Sequence, residues 1–301
     1  MFFKSFLLSL ANDAIPEALD VEQGVYRVSD RFIHPEELYT AGHLADIVFL
    51  HGVGGHPIDT WQASHSDESF WPKWLEDDLP GVRVLMIGYR SELAAFQKRG
   101  DMAISLRALN VADMLRAYGI GKRPYVFICH SMGGLIAKAI IRSTGTDSSE
   151  PFNTSFPRLP KPEGILFMGT PHRGSHLANV LSVLCGTYAS SSSVGLRAAD
   201  PYLFELQRGF MDAAARIHIK IYAEMKPVRT MLGLPGIMVV PLESSAIDGV
   251  ETVPVDKDHV ALPKCTKRTD QVYTGTVEFI THCLALPRIG LATNASAEPS
   301  A

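Results

Sequence analysis

Apolar runs of strand length recur along the middle of the chain without polar alternation. They fall at residues 46–50 (DIVFL), 82–89 (VRVLMIGY), 125–129 (YVFIC) and 164–168 (GILFM). Between them lie segments with helical spacing, at 70–79 and 102–118, the latter carrying Ile104, Leu106, Leu109, Val111, Met114 and Leu115, among which gaps of three and four recur (106 to 109, 111 to 114 and 115). A strand that is apolar at every position is covered on both faces, which is the pattern of a mostly parallel sheet between helices. Beyond residue 168 the pattern loosens, with further strands predicted at 217–223 and 251–256 and a last helix at 269–284. The Ser-, Thr- and Pro-rich stretch 145–163 reads as a surface loop. These elements imply one α/β domain over 45–290, an N-terminal extension 1–44 packed on it, an insertion at about 174–213 and a frayed tail at 291–301.

Composition narrows this picture. With 46% hydrophobic and 20% charged residues the chain is a folded globular protein, and a net charge of −4 gives no reason to expect nucleic acid as a partner. Cysteines 129, 185, 265 and 283 form no CxxC pair and no dense framework, so neither a zinc module nor a disulfide scaffold is indicated. The opening MFFKSFLLSLA is too short in its apolar part for an ordinary signal segment; it reads as a docking helix or a point of membrane contact. No later run reaches the 18 or so apolar residues that a membrane span needs. The expectation is a cytoplasmic or intracellular membrane-associated protein, with oligomeric state left open.

The chemistry concentrates at FICHSMGGL, residues 127–135. A strand runs into Ser131, and glycines 133 and 134 open a helix. A nucleophile elbow has this form, spelled G-x-S-x-G, and here the first small residue is Cys129. The helix start places amides beside the serine, and the N–H of Met132 is the natural oxyanion donor. The glycine loop HGVGG at 51–55 follows the first clear strand and supplies a second donor, for which Val53 is favoured, with Gly52 lying against the substrate. The loop lacks G-x-G-x-x-G spacing and a Walker lysine, so nucleotide binding is not indicated. GTPHRG at 169–174 shapes a turn at the sheet edge and puts His172 near the pocket rim.

A serine hydroxyl needs a base, and the base a carboxylate, in the chain order Ser, acid, His. His259, in VPVDKDHVAL just after the last strand, is the chosen base among the eleven histidines. His130 is expected to point away from the solvent side of Ser131. Two acids stay open: Glu224 at the end of the strand IHIKIYAE, and Glu243 on the following loop, with Asp248 and Asp258 behind them.

FLHGVGGHPIDTWQ, FWPKWLEDDLP, FICHSMGGLIAKAII, GILFMGTPHRGS and VVPLESSAI with DKDHVALPKC, taken together, resemble the serine-active-site-containing, lipase-like α/β-hydrolases related to the DUF676 lipases. Such domains also open fungal NACHT-type proteins. The resemblance covers most of residues 45–265 and implies a serine hydrolase of lipid or other acyl esters, with no cofactor or metal. It carries the family serine to Ser131, the histidine to His259 and the oxyanion loop to 51–55, and it keeps both Glu224 and Glu243. No NACHT or repeat region follows, which favours a standalone enzyme over a signalling role. The insertion becomes a helical cap, in which Leu177 and Leu181 would line an acyl channel. The rival readings are an inactive binding module of the same fold, and an amidase or transacylase built on the same residues.

Overall fold

The computed structural model describes residues 24–27, 42–64, 66–91, 101–144, 159–173, 201–228 and 236–286. Among the described residues seven strands form one sheet: β1 (Gly24–Arg27), β2 (Ala45–Leu50), β3 (Val82–Gly88), β4 (Tyr125–His130), β5 (Gly164–Met168), β6 (His218–Glu224) and β7 (Thr252–Val255). Their order across the sheet is β1-β3-β2-β4-β5-β6-β7. All neighbours run parallel except β1, which pairs antiparallel with β3 at the edge. Part of the presumed N-terminal extension is therefore a strand of the sheet. Residues 1–11 and the tail 291–301 lie outside the described residues.

The unbroken apolar runs have the expected cause. Side chains alternate across a strand, and in β4 Tyr125, Phe127 and Cys129 enter one core layer while Val126 and Ile128 enter the other. In β2, Val48 and Leu50 likewise oppose Ile47 and Phe49. One layer is closed by α2 (Asp101–Ala117), α3 (Gly133–Thr144) and α4 (Pro201–Ala213). The other is closed by α1 (Pro72–Asp78) and α6 (Gln271–Leu284). A short helix α5 (Leu242–Ser245) lies between β6 and β7. Among the described residues no helix is long and apolar enough to cross a membrane.

The described end of the expected cap is α4. Its Leu203, Leu206 and Phe210 are buried in the core layer shared with α3, so this helix flanks the sheet, and Phe204 is exposed. Leu177 and Leu181 fall outside the described residues.

Chain direction reverses around β2. The chain steps from β2 to β3 on one side, then returns to place β4 on the other. A reversal of this kind is where loops at the carboxyl ends of parallel strands part company in open α/β sheets. The loops leaving β2 and β4 hold Gly52 and Ser131. At the opposite end of the same strands, Arg83 Nε donates to Asp46 Oδ1 at 2.8 Å with both groups buried, and Arg123 Nε stands 3.7 Å from Asp46 Oδ2.

Candidate active site

Ser131 follows β4 directly and has φ +52, a left-handed backbone that a non-glycine residue seldom adopts. The surroundings hold it there. Its N–H donates to the Met168 carbonyl at 2.8 Å, and Thr170 Oγ1 donates to its carbonyl at 2.9 Å. The small residues around it are needed for close approach. A Cβ on Gly133 would sit 2.4 Å from the Leu50 carbonyl oxygen, and one on Gly134 would sit 2.2 Å from Thr170 Oγ1. Cys129, buried two residues earlier, supplies the small side chain that the usual spelling fills with glycine.

The loop 51–55 rides over the serine. A Cβ on Gly52 would lie 2.8 Å from Ser131 Cβ and 3.4 Å from its Oγ, so Gly52 is in contact with Ser131 itself. His51 anchors this loop. Its ring stacks on Tyr89 at 4.2 Å, its Nδ1–H donates to the Gly52 carbonyl at 2.9 Å, and its own carbonyl accepts from the Tyr89 hydroxyl. Burial, with lesser positive neighbours, lowers the His51 pKa to about 4, so the ring is neutral. Among the described residues the amides of Val53 and Met132 meet no acceptor.

His259 Nε2 lies 3.0 Å from Ser131 Oγ, and its Nδ1 lies 2.5 Å from Glu224 Oε2. All three side chains are buried. The carboxylate only accepts, so Nδ1 carries the proton and the Nε2 lone pair faces the serine hydroxyl. Glu224 is fixed in turn by the amides of Val239 and Val240, both donating to Oε1 at 2.9 Å. Gly169 makes room for this pair, since a Cβ there would stand 3.1 Å from His259 Nδ1 and 3.2 Å from Glu224 Oε2.

Of the two open acids, Glu224 is therefore the one brought to His259. Glu243 is exposed on α5. The VVPLESS segment that suggested it serves the site through the main-chain amides of 239 and 240 instead. Asp258 orients backbone, its Oδ1 accepting from the amides of Val260 and Ala261 at 3.0 and 2.9 Å.

His172 departs from expectation. It is 2% exposed, not at a rim, with its ring edge-on to Phe167 at 4.6 Å and its N–H donating to the Ser244 carbonyl. Burial, aided by Lys138, pushes its pKa well down, and neither ring nitrogen has a partner among the described residues. The turn GTPHRG does reach the sheet edge, but its histidine packs inward as an apolar ring would. His130, expected to face away from the solvent side of Ser131, is buried. It lies against His259, with ring centroids 4.8 Å apart and Nε2 3.0 Å from the His259 carbonyl oxygen. Strand alternation held the signal, since His130 shares the face of Ile128, on the side from which the 256–264 loop arrives.

Among the described residues no group of three His, Cys, Asp or Glu could hold a metal ion. The arrangement is one in which a buried hydroxyl can pass its proton to an imidazole.

No family model matches the chain. It is similar to the human protein SERAC1, 29% identical over 286 residues that make up 88% of this chain and 42% of that one. It is also similar to the zebrafish (Danio rerio) SERAC1, at 28% over 305 residues, with 94% and 44% covered. The chain thus spans less than half the length of these relatives. Solved structures of similar shape include Zea mays acyl-protein thioesterase 2, with a TM-score of 0.45 and 13% identity over 81% of this chain and 96% of that one. Another is a lipase-esterase related protein from Clostridium acetobutylicum, with a TM-score of 0.40 and 14% identity over 80% and 94% of the two chains. The strand order, the reversal at β2 and the tight left-handed turn at Ser131 after β4 identify the architecture: the chain has the α/β-hydrolase fold.

Proposed function

We propose that this chain is a serine hydrolase that cleaves carboxylic esters through an acyl-enzyme. One observation carries the reading: Ser131 Oγ, both nitrogens of the His259 ring and Glu224 Oε2 form one buried relay, with 3.0 and 2.5 Å steps. A chain that used this fold only to bind would have no need of a left-handed serine at that point.

In the first half-reaction His259 Nε2 takes the hydroxyl proton as Oγ bonds to the acyl carbon. The carbonyl π electrons move to oxygen, and the oxyanion is met by the free amides of Met132 and Val53. Glu224 stabilises the imidazolium through Nδ1–H. As the carbonyl re-forms, the bond to the leaving alcohol breaks and His259 returns the proton to that oxygen. Water then repeats the sequence against the acyl-serine, releasing the acid and restoring Ser131. Exposed Met225 and Val260 directly follow Glu224 and His259, which favours an apolar acyl group or a lipid ester. Within this reading the chain belongs beside the serine-active-site-containing, lipase-like hydrolases.

The test is hydrolysis of p-nitrophenyl esters of graded acyl length, with Ser131→Ala as control. A burst of about one nitrophenolate per chain, lost in the variant, is expected for an acyl-enzyme. Hydrolysis that the variant retains would overturn the proposal.

A further inference from the structure

We propose that His130 is a positioning residue that ties the base to the nucleophile through the main chain; the inference rests on the ester-hydrolase reading of Ser131 and His259. Glu224 fixes the orientation of the His259 ring, but it does not fix the backbone that carries the ring. That backbone belongs to the loop between β7 and α6, and its groups are held separately. Asp258 Oδ1 accepts from the amides of Val260 and Ala261, and the Leu262 amide donates to the Asp258 carbonyl at 2.8 Å. The His259 carbonyl points instead toward the sheet. It accepts from His130 Nε2–H at 3.0 Å.

His130 is the residue immediately before Ser131 and the last residue of β4. A single hydrogen bond therefore joins the peptide unit that carries the nucleophile to the one that carries the base. Nearly every other contact of the imidazole keeps it in place. Trp61 meets it edge-on at 6.4 Å. The oxyanion loop presses on its far side, where a Cβ on Gly52 would come within 3.4 Å of Nδ1. His130 thus lies between two neighbours of Ser131, the loop that would hold the oxyanion and the loop that holds the base.

The tautomer follows from the acceptor. A carbonyl cannot donate, so Nε2 carries the hydrogen. Charge at this ring would oppose the imidazolium that forms on His259 4.8 Å away. Burial and the neighbouring His259 both lower the His130 pKa well below its ordinary value, which keeps the ring neutral.

The experiment compares His130→Phe, which keeps a planar ring without the donor, with His130→Gln, which returns an N–H near the Nε2 position. Both are measured in the full chain, with melting temperature as the check on folding. The Phe variant is expected to lose about 10- to 100-fold in kcat with KM within about twofold, as a small misplacement of a catalytic group does. Gln is expected to recover most of the loss. By proton NMR, the low-field Nδ1–H resonance of His259 should stay sharp in the wild type and the Gln variant and broaden in the Phe variant. A folded Phe variant with wild-type kcat and an unchanged resonance would overturn the proposal, as would equal losses in Phe and Gln. If Phe does not fold, His130→Leu carries the same comparison. A wild-type chain with no esterase activity would overturn the ester-hydrolase reading, while the NMR comparison would still decide whether His130 holds His259.

Discussion

The two ends of the sheet each bury charged or titratable groups on the same strands, and they treat them oppositely. At the amino end, Asp46 of β2 faces Arg83 of β3 in register, its Oδ1 accepts from Arg83 Nε at 2.8 Å, and Arg123 Nε stands 3.7 Å from its Oδ2, so the carboxylate meets opposite charge. At the carboxyl end, Ser131, His259 and Glu224 are just as buried, yet the relay ends on a hydroxyl, beside two amides that meet no acceptor among the described residues. An ion pair ties its strands together. On the proposed reading, the second set keeps a hydroxyl and two amides available for a reacting group, and strained backbone at Ser131 goes with it. Burial alone does not distinguish a working site from a structural one; what the last group in the chain of hydrogen bonds faces does.

Substitutions at the two ends should therefore separate activity from stability. Ser131→Ala is expected to lower esterase kcat by about 10⁴-fold or more while leaving the urea midpoint nearly unchanged. Glu224→Gln keeps the shape but lets Nδ1 meet an amide, which frees the wrong tautomer. It should cost about 10³- to 10⁴-fold in kcat, measured on the same esters. Arg83→Met does the reverse. It leaves Asp46 buried without its main partner and should remove about 3–5 kcal/mol of unfolding free energy, with kcat per folded molecule retained. An Arg83 variant that folds normally but is inactive would break the comparison.

The pH dependence sharpens it further. His51 is held near 4 in the folded chain against an ordinary 6.5, so between those values the unfolded chain binds more protons. Stability from this residue is complete above about pH 6.5 and is lost as pH falls toward 4, by up to about 3 kcal/mol. His130 and His172 are shifted in the same direction, so urea midpoints should drop steeply from pH 7 to pH 5. The smallest effect belongs to His172→Phe. Removing two unpartnered ring nitrogens should change stability at pH 7 by about 1 kcal/mol or less and make the acid limb shallower. A Phe variant with an unchanged acid limb would mean that His172 is not buried neutral.

Much of this was legible in the residues, for stated physical reasons. The central strands were readable because burial on both faces leaves no polar position to interrupt them. The tight turn at Ser131 was readable because few residue types can occupy the places around it. β1 was not, since GVYR is a four-residue edge strand with no apolar run of its own. Glu224 and Glu243 were inseparable in sequence because the decision rests on where the amides of Val239 and Val240 return, and 15 or 16 residues of intervening chain set that. The role of Gly169 follows from the same packing, and GTP in the sequence signals a turn without saying what the turn makes room for.

The most direct test of the central claim is to treat the purified chain with a fluorophosphonate and map the modified peptide by mass spectrometry, alongside Ser131→Ala. Labelling confined to Ser131 and absent from the variant is the expected result, because an activated hydroxyl beside two free amides is what the reagent attacks. A folded chain that takes no label, or takes it elsewhere, would contradict the account.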